Sequence, residues 1–198
     1  MGVAKSLLPF GEETMLARVV RLVSEAVTPV VVVAAAGQQL PPLPEGVRIV
    51  RDQHPDQGPL EGLATGLAWL EDTACDAVYL SSCDVPLLRP ALVRRMVEVL
   101  GGYQIAMPSV VGRHHPLAAV YHRDVLPHAQ EMLRAGRLRL MDLVDRCETR
   151  LVGAEELADV DPELSSLTNV NRPRDYLDAL AACGLTAPPE IIQALHAS

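Results

Sequence analysis

Aromatic residues are scarce: one Trp, four Tyr and one Phe make up 3% of the chain. A core built from 49% hydrophobic residues must therefore be aliphatic. The four cysteines, Cys75, Cys83, Cys147 and Cys183, are scattered, with no C-x-x-C pair and no histidine at metal spacing. That argues against a zinc site or a disulfide framework. No apolar run reaches the roughly 18 residues of a membrane span, and no charged start precedes an apolar stretch as in a signal peptide. A cytoplasmic protein without membrane contact is expected. Basic surplus is also missing. The formal net charge is −8, which excludes a general nucleic-acid binder but not a site for a small anion held by local cations and N–H groups.

What is present is an alternation of helix and strand patterns over 198 residues, a length that suits one domain. Thr14 is placed to cap a helix with Met15, Leu16, Val19, Val20, Leu22 and Val23 at helical spacing. Val30 to Ala35 is an unbroken aliphatic run, as expected for a strand buried on both faces of a parallel sheet. Short strands are expected over 47–50, 77–82, 104–107, 117–121 and 149–152. Helices are expected from Gly58 to about Glu71, over 90–100, 125–134 and 139–144, and from Pro173 to about Ala182. Val111 to Pro116 reads as a loop and the residues from Pro188 as a short helix. The alternation implies an α/β fold with right-handed crossovers and helices on both faces of the sheet. One domain over residues 1–185 with a tail over 186–198 is expected. Ligands in such folds lie beyond the carboxyl ends of the strands, and Asp52, the Gly58–Gly62 loop and Asp84 all fall there.

Several residues at that edge carry chemistry. Asp84 ends an apolar strand beside Val85-Pro86. It suits Mg²⁺, which takes a few hard oxygens and fills the rest of its shell with water and phosphates; it would equally suit a turn or helix cap. Met1 to Gly11 reads as the second half of a phosphate-binding loop, with Gly2 allowing close backbone approach and Lys5 neutralising phosphate charge. An ordinary exposed lysine is the alternative. Gly58-Pro59-Leu60-Glu61-Gly62 opens a helix whose free N–H groups could meet an anion or a base edge, or simply needs Gly and Pro for shape. Asp52 could accept from the N1–H and amino group of guanine, or cap a turn. Asn169 and Asn171 would point the same way from an extended segment, toward a second substrate, unless Asn171 caps the Pro173 helix. Arg113, His114 and His115 share a glycine-containing loop that could meet an anionic acceptor or stay solvated. Arg137 and Arg139 are similar candidates.

Taken in order, Met-Gly-x-x-Lys-x-Leu-Leu, Asp52, Gly-Pro-Leu-x-Gly, Cys-Asp-x-Pro and Asn-Val-Asn-x-Pro resemble the molybdenum cofactor guanylyltransferase family of the nucleotidyltransferase superfamily. The resemblance spans about residues 1–182. It implies a Rossmann-like three-layer fold with a mostly parallel sheet, and transfer of GMP from GTP to the phosphate of molybdopterin with release of pyrophosphate. It implies that Lys5 contacts the GTP phosphates, Asp52 reads guanine and Asp84 binds Mg²⁺. Gly2, Gly58, Pro59, Leu60 and Gly62 would line the nucleotide, and His115, Asn169 and Asn171 the acceptor. Molybdoenzymes or other cofactor-biosynthesis proteins would be its protein partners. Phosphoryl-type transfer needs positioning and charge neutralisation more than a nucleophilic side chain, so the lack of a Ser-His-Asp pattern is no objection.

The family's first strand and its Leu-Ala-Gly-Gly-x-x-x-Arg segment have no counterpart before Met1. The expectation is that Met1 is an internal methionine of a longer protein, and that these 198 residues alone would be poorly soluble with little GTP turnover. Alternatives on the same fold are a cytidylyltransferase or a sugar-phosphate nucleotidyltransferase. A non-catalytic nucleotide-binding relative is the alternative from another class.

Overall fold

The computed structural model describes residues 4–52, 57–70 and 73–196. The strands are β1 (Pro9–Phe10), β2 (Glu13–Thr14), β3 (Val31–Ala34), β4 (Arg48–Arg51), β5 (Ala77–Ser81), β6 (Ile105–Val110), β7 (Arg113–His114), β8 (Ala118–His122) and β9 (Thr149–Val152). The helices are α1 (Met15–Ser24), α2 (Gly58–Trp69), α3 (Pro90–Leu100), α4 (Leu126–Arg134), α5 (Leu140–Val144), α6 (Ala154–Leu157), α7 (Pro173–Ala182) and α8 (Pro189–His196). None of the described helices is long and apolar enough to cross a membrane.

Local chemistry sets the ends of these elements. The Thr14 side chain accepts from the N–H of Ala17, the cap expected from its position. Proline opens α2, α3 and α7, where its fixed φ suits the first turn and no N–H is needed. Val111 and Gly112, both at positive φ, turn the chain between β6 and β7. The segment read as a plain loop is thus a short hairpin, with Ser109 opposite His114 and Val110 opposite Arg113.

The main sheet pairs β5 with β8, β8 with β6, and β6 with β9. Strands β5, β6 and β9 run one way. Strands β7 and β8 run against them, because the hairpin at 109–114 sends the chain back beside β6. Strands β3 and β4 form a separate parallel pair, with Val31 beside Arg48 and Ala34 beside Arg51. The facing edges of β3 and β5 line one cavity of about 510 Å³. This explains the burial of β3, where Val32 and Ala34 are buried but Val31 and Val33 only half-buried. Helices lie on both faces of β3, α1 against Val32 and α2 against Val33, and all four of its residues border the cavity.

Period-two alternation distributes the core between two layers of helices. Ile105, Met107, Ala119 and Tyr121 pack with α2, α4 and α5. Their neighbours Ala106, Val120 and Val152 face the other way, onto Leu92, Met96 and Leu100 of α3. Each fully buried leucine or methionine there contributes about 1.5–3 kcal/mol. A smaller cluster joins the N-terminal hairpin to the C-terminal helices. Leu8 and Phe10 meet Tyr176 and Leu180 of α7 and Leu195 of α8, and the Tyr176 hydroxyl donates to the carbonyl of Pro9. This packing fixes the segment that begins with Lys5.

Candidate active site at the ends of the strands

Three chain segments meet at Asp84. Lys5 comes from the turn Lys5–Leu7, Asp84 from the loop after β5, and Asn169 and Asn171 from the extended stretch before α7. The Lys5 Nζ lies 2.8 Å from Asp84 Oδ2 and donates to Asn171 Oδ1 at 2.7 Å. Asp84 Oδ1 accepts from Ser82 Oγ at 2.6 Å and from Asn169 Nδ2 at 2.9 Å. The Val170 N–H donates to the Asp84 carbonyl at 2.8 Å, which locks the two segments side by side.

These contacts show which structural roles the side chains take. The described hydrogen bonds of the Asp84 carboxylate go to three side chains, not to the backbone of a turn or helix. Asn171 turns its side chain to Lys5. The N–H groups of Asn171 and Arg172 are capped by Asp175 Oδ2 instead. Lys5 has a 32% exposed side chain, but it is tied to two partners rather than loose in solvent. Ser82 was missed by sequence reasoning. Its one signal is adjacency, two residues before Asp84 on the strand end.

Burial alone would push the Asp84 carboxyl up. The hydrogen bond from Lys5, those from Ser82 and Asn169, and the Lys5 charge reverse this and hold it below the usual aspartate range. Asp84 is therefore ionised at neutral pH. The neighbouring Cys83 thiol is pushed up by burial and then by the Asp84 charge, so it stays protonated and inert.

Asp52 ends β4 with its N–H on the Ala34 carbonyl. Its Oδ1 is buried with no hydrogen-bond partner among the described residues. Burial first, and the Glu61 charge second, push this carboxyl above its ordinary value. A buried acceptor without a donor is costly and points to a ligand that would supply one. Helix α2 begins nearby with Gly58 at φ +66, a conformation that favours glycine. Its cap position, Gln57, makes no side-chain cap hydrogen bond, and a helix N-terminus of this kind suits an anion. Asp52, Gly58, Pro59 and Gly62 line the 510 Å³ cavity, together with Ser6 beside Lys5 and Cys83 beside Asp84. The Leu60 side chain does not; it is fully buried in the core, which leaves only its backbone for a nucleotide.

His115 stands at the end of the β6–β7 hairpin with its N–H on the Pro108 carbonyl. Burial, then Arg113 and His114, lower its pKa, so the ring is neutral at pH 7. It is outside the hydrogen-bonded group around Asp84 among the described residues. Arg139 lies 4.0 Å from Asp142. Gly2 lies outside the described residues.

Among the described residues no three His, Cys, Asp or Glu side chains gather into a metal cage. The donor set still fits a magnesium ion, which is commonly held by one or two carboxylates plus substrate phosphates. Both lone-pair positions of Asp84 Oδ1 are taken, whereas among the described residues Oδ2 accepts only from Lys5.

A three-layer α/β scaffold carrying a lysine–carboxylate–amide cluster and a helix N-terminus at one strand edge defines a nucleotidyltransferase-like protein. The crystal structure of molybdopterin-guanine dinucleotide biosynthesis protein A from Archaeoglobus fulgidus shares this fold, with a TM-score of 0.76 and 18% identity over 92% of each chain. The 2-C-methyl-D-erythritol 4-phosphate cytidylyltransferase of Thermus thermophilus shares it too, with a TM-score of 0.66 and 19% identity over 91% of this chain and 94% of that one. In sequence, the "Probable molybdenum cofactor guanylyltransferase" of Pelotomaculum thermopropionicum is 31% identical over 179 residues, 90% of this chain and 85% of that protein. A family model for the MobA-like NTP transferase domain matches residues 1–150. The chain belongs to the MobA-like NTP transferase family.

Proposed function

We propose that this chain is a guanylyltransferase of molybdenum cofactor biosynthesis. An oxygen of the terminal phosphate of molybdopterin attacks the α-phosphorus of GTP, the bond to the bridging oxygen of the β-phosphate breaks, and pyrophosphate leaves. The observation that carries this reading is the 2.8 Å contact of Lys5 with Asp84, joined by Asn169 and Asn171. Lys5 shifts its ammonium from the carboxylate to the triphosphate and offsets charge as it moves onto pyrophosphate. Asp84 would hold Mg²⁺, whose chemistry there would be charge stabilisation on the phosphates. Asn169 and Asn171 position the acceptor side.

Guanine is favoured over other bases by Asp52. Its unpartnered oxygen, with the second one, matches the adjacent N1–H and amino donors of guanine. Cytosine offers a single amino donor on that edge. The first turn of α2, which borders the same cavity through Gly58, Pro59 and Gly62, takes the nucleotide. His115 remains the proposed acceptor contact from the β6–β7 hairpin. The catalytic unit is residues 1–185, and the proposed setting is the cytoplasm, with molybdoenzymes as recipients of the product.

The test is pyrophosphate release by the purified chain given GTP, Mg²⁺ and molybdopterin. Replacing Asp84 by Ala should cut the rate by about 100-fold or more. An unchanged rate in that variant, or equal turnover of CTP by the parent, contradicts the reading.

A further inference from the structure

Asp161 is a carboxylate with no exposed surface that plays no part in the chemistry above. Burying a charge in this way is costly unless donors surround it. Its Oδ1 accepts from the Ser165 N–H at 3.1 Å and from the Ser165 hydroxyl at 3.0 Å, and lies 3.2 Å from Arg89 Nε. Its Oδ2 accepts from the Ser166 N–H at 2.8 Å. Ser166, also fully buried, accepts the Arg89 N–H on its own hydroxyl at 2.8 Å. Asp161 and Ser166 thus staple the loop after α6 to the segment that follows Asp84.

Two chains leave this staple together. One runs back from Arg89 to Asp84; the other runs from Ser166 to Asn169 and Asn171. They meet again where Val170 donates to the Asp84 carbonyl and Asn169 to its carboxylate. The result is a closed frame with the staple at one end and the Lys5–Asp84 cluster at the other. Just before the staple, Leu164 donates its N–H to the Asp161 carbonyl and holds φ +51, a strained conformation for a residue with a side chain. Such a residue persists only where its surroundings fix it, and the hydrogen bonds of the Asp161 carboxylate begin at the next residue.

We propose that Asp161 is a positioning residue: through the Ser165–Ser166 turn it sets where Asn169 and Asn171 stand against Asp84 and Lys5, and so the affinity of the site for a divalent cation with a nucleoside triphosphate. The inference rests on the reading of Asp84 and Lys5 as the cation and triphosphate site. A lone structural anchor would stabilise the fold without acting through Asn169.

A double-mutant cycle separates these cases. Mn²⁺ with GTP is titrated calorimetrically into the full chain and into Asn169→Ala, Asp161→Asn and the double variant, with thermal melting of each. Each single change should weaken binding by about tenfold, and the double variant no further than about twofold beyond the worse single, because both act through one amide. Independent effects that multiply to about 100-fold overturn the proposal. So does parent-like binding by Asp161→Asn when Asn169→Ala is impaired. Parent-like binding by Asn169→Ala instead removes the underlying reading of the site, and this inference with it. If Asp161→Asn does not fold at the assay temperature, Ser166→Ala takes its place in the cycle, with about a threefold loss expected and the same non-additivity.

Discussion

Replacing Asp52 by Asn should raise stability and lower nucleotide affinity in the same molecule. The Asp52 carboxylate is buried enough to titrate upward, faces the Glu61 charge, and leaves Oδ1 without a donor among the described residues. An unsatisfied buried acceptor costs about 1–3 kcal/mol. Asn keeps one unpartnered oxygen but removes the charge, so about 1 kcal/mol of that penalty is recovered. For a chain of this length that is roughly 2–4 °C in melting temperature at pH 7. The pH dependence follows from the direction of the shift. A carboxyl with a raised folded-state pKa costs nothing below its unfolded value of about 3.9, where both states are protonated, and destabilises increasingly as pH rises through the folded value. The gap between parent and variant should therefore close near pH 4 and open by pH 7. In binding, guanine places two donors against two carboxylate oxygens; Asn offers one acceptor and turns an NH₂ against a donor. Losing one hydrogen bond to a charged group, about 1.5–3 kcal/mol, weakens GTP roughly 10–100-fold. Scanning fluorimetry across pH and calorimetric titration of GTP read the two effects. A variant that melts below the parent at pH 7, or that binds GTP equally well, refutes the reasoning.

Replacing Lys5 by Met should weaken GTP binding about tenfold and flatten its dependence on salt, since one phosphate-facing charge is gone; a parent-like salt slope counts against the role. Asp84→Asn should lose about 1–3 kcal/mol at pH 7 by removing a carboxylate held by three donors. The Asp84 pKa is lowered in the fold, so its contribution is present above about pH 3.9 and lost as pH falls below it. The variant's acid unfolding limb should accordingly be shallower there, and identical limbs would speak against it. Leu92→Ala, at a site with no exposed surface between α3 and the sheet, should cost about 2–5 kcal/mol in urea unfolding, whereas a cost under 1 kcal/mol would contradict the assigned layer packing.

The fold was legible wherever local chemistry decides it. Thr14, Pro90 and Pro173 marked helix starts that the structure reproduces, because caps and proline act within one turn. The reversed strand β8 was not legible. Its direction depends on a hairpin whose turn, Val111-Gly112, carries no hairpin signature beyond one glycine, and on pairing with β5, which lies some 40 residues away. The candidate site was marked in the sequence at residues that end strands or precede prolines, namely Asp52, Asp84, Asn169 and Asn171, and the fold brings Asp84, Asn169 and Asn171 together with Lys5. Ser82 and Asp161 carry no such mark. A serine beside an aspartate and an aspartate in a loop become informative only when the folded chain shows what they hold.

If Asp84 and Lys5 grip one cation-bound triphosphate, crystals grown with GTP and Mn²⁺ will show it through anomalous scattering from the metal. A single strong peak is expected roughly 2 Å from Asp84 Oδ2, with phosphate oxygens against Lys5 Nζ and guanine at Asp52. A metal peak remote from Asp84, or a nucleotide bound with Lys5 still closed on the carboxylate, would contradict it.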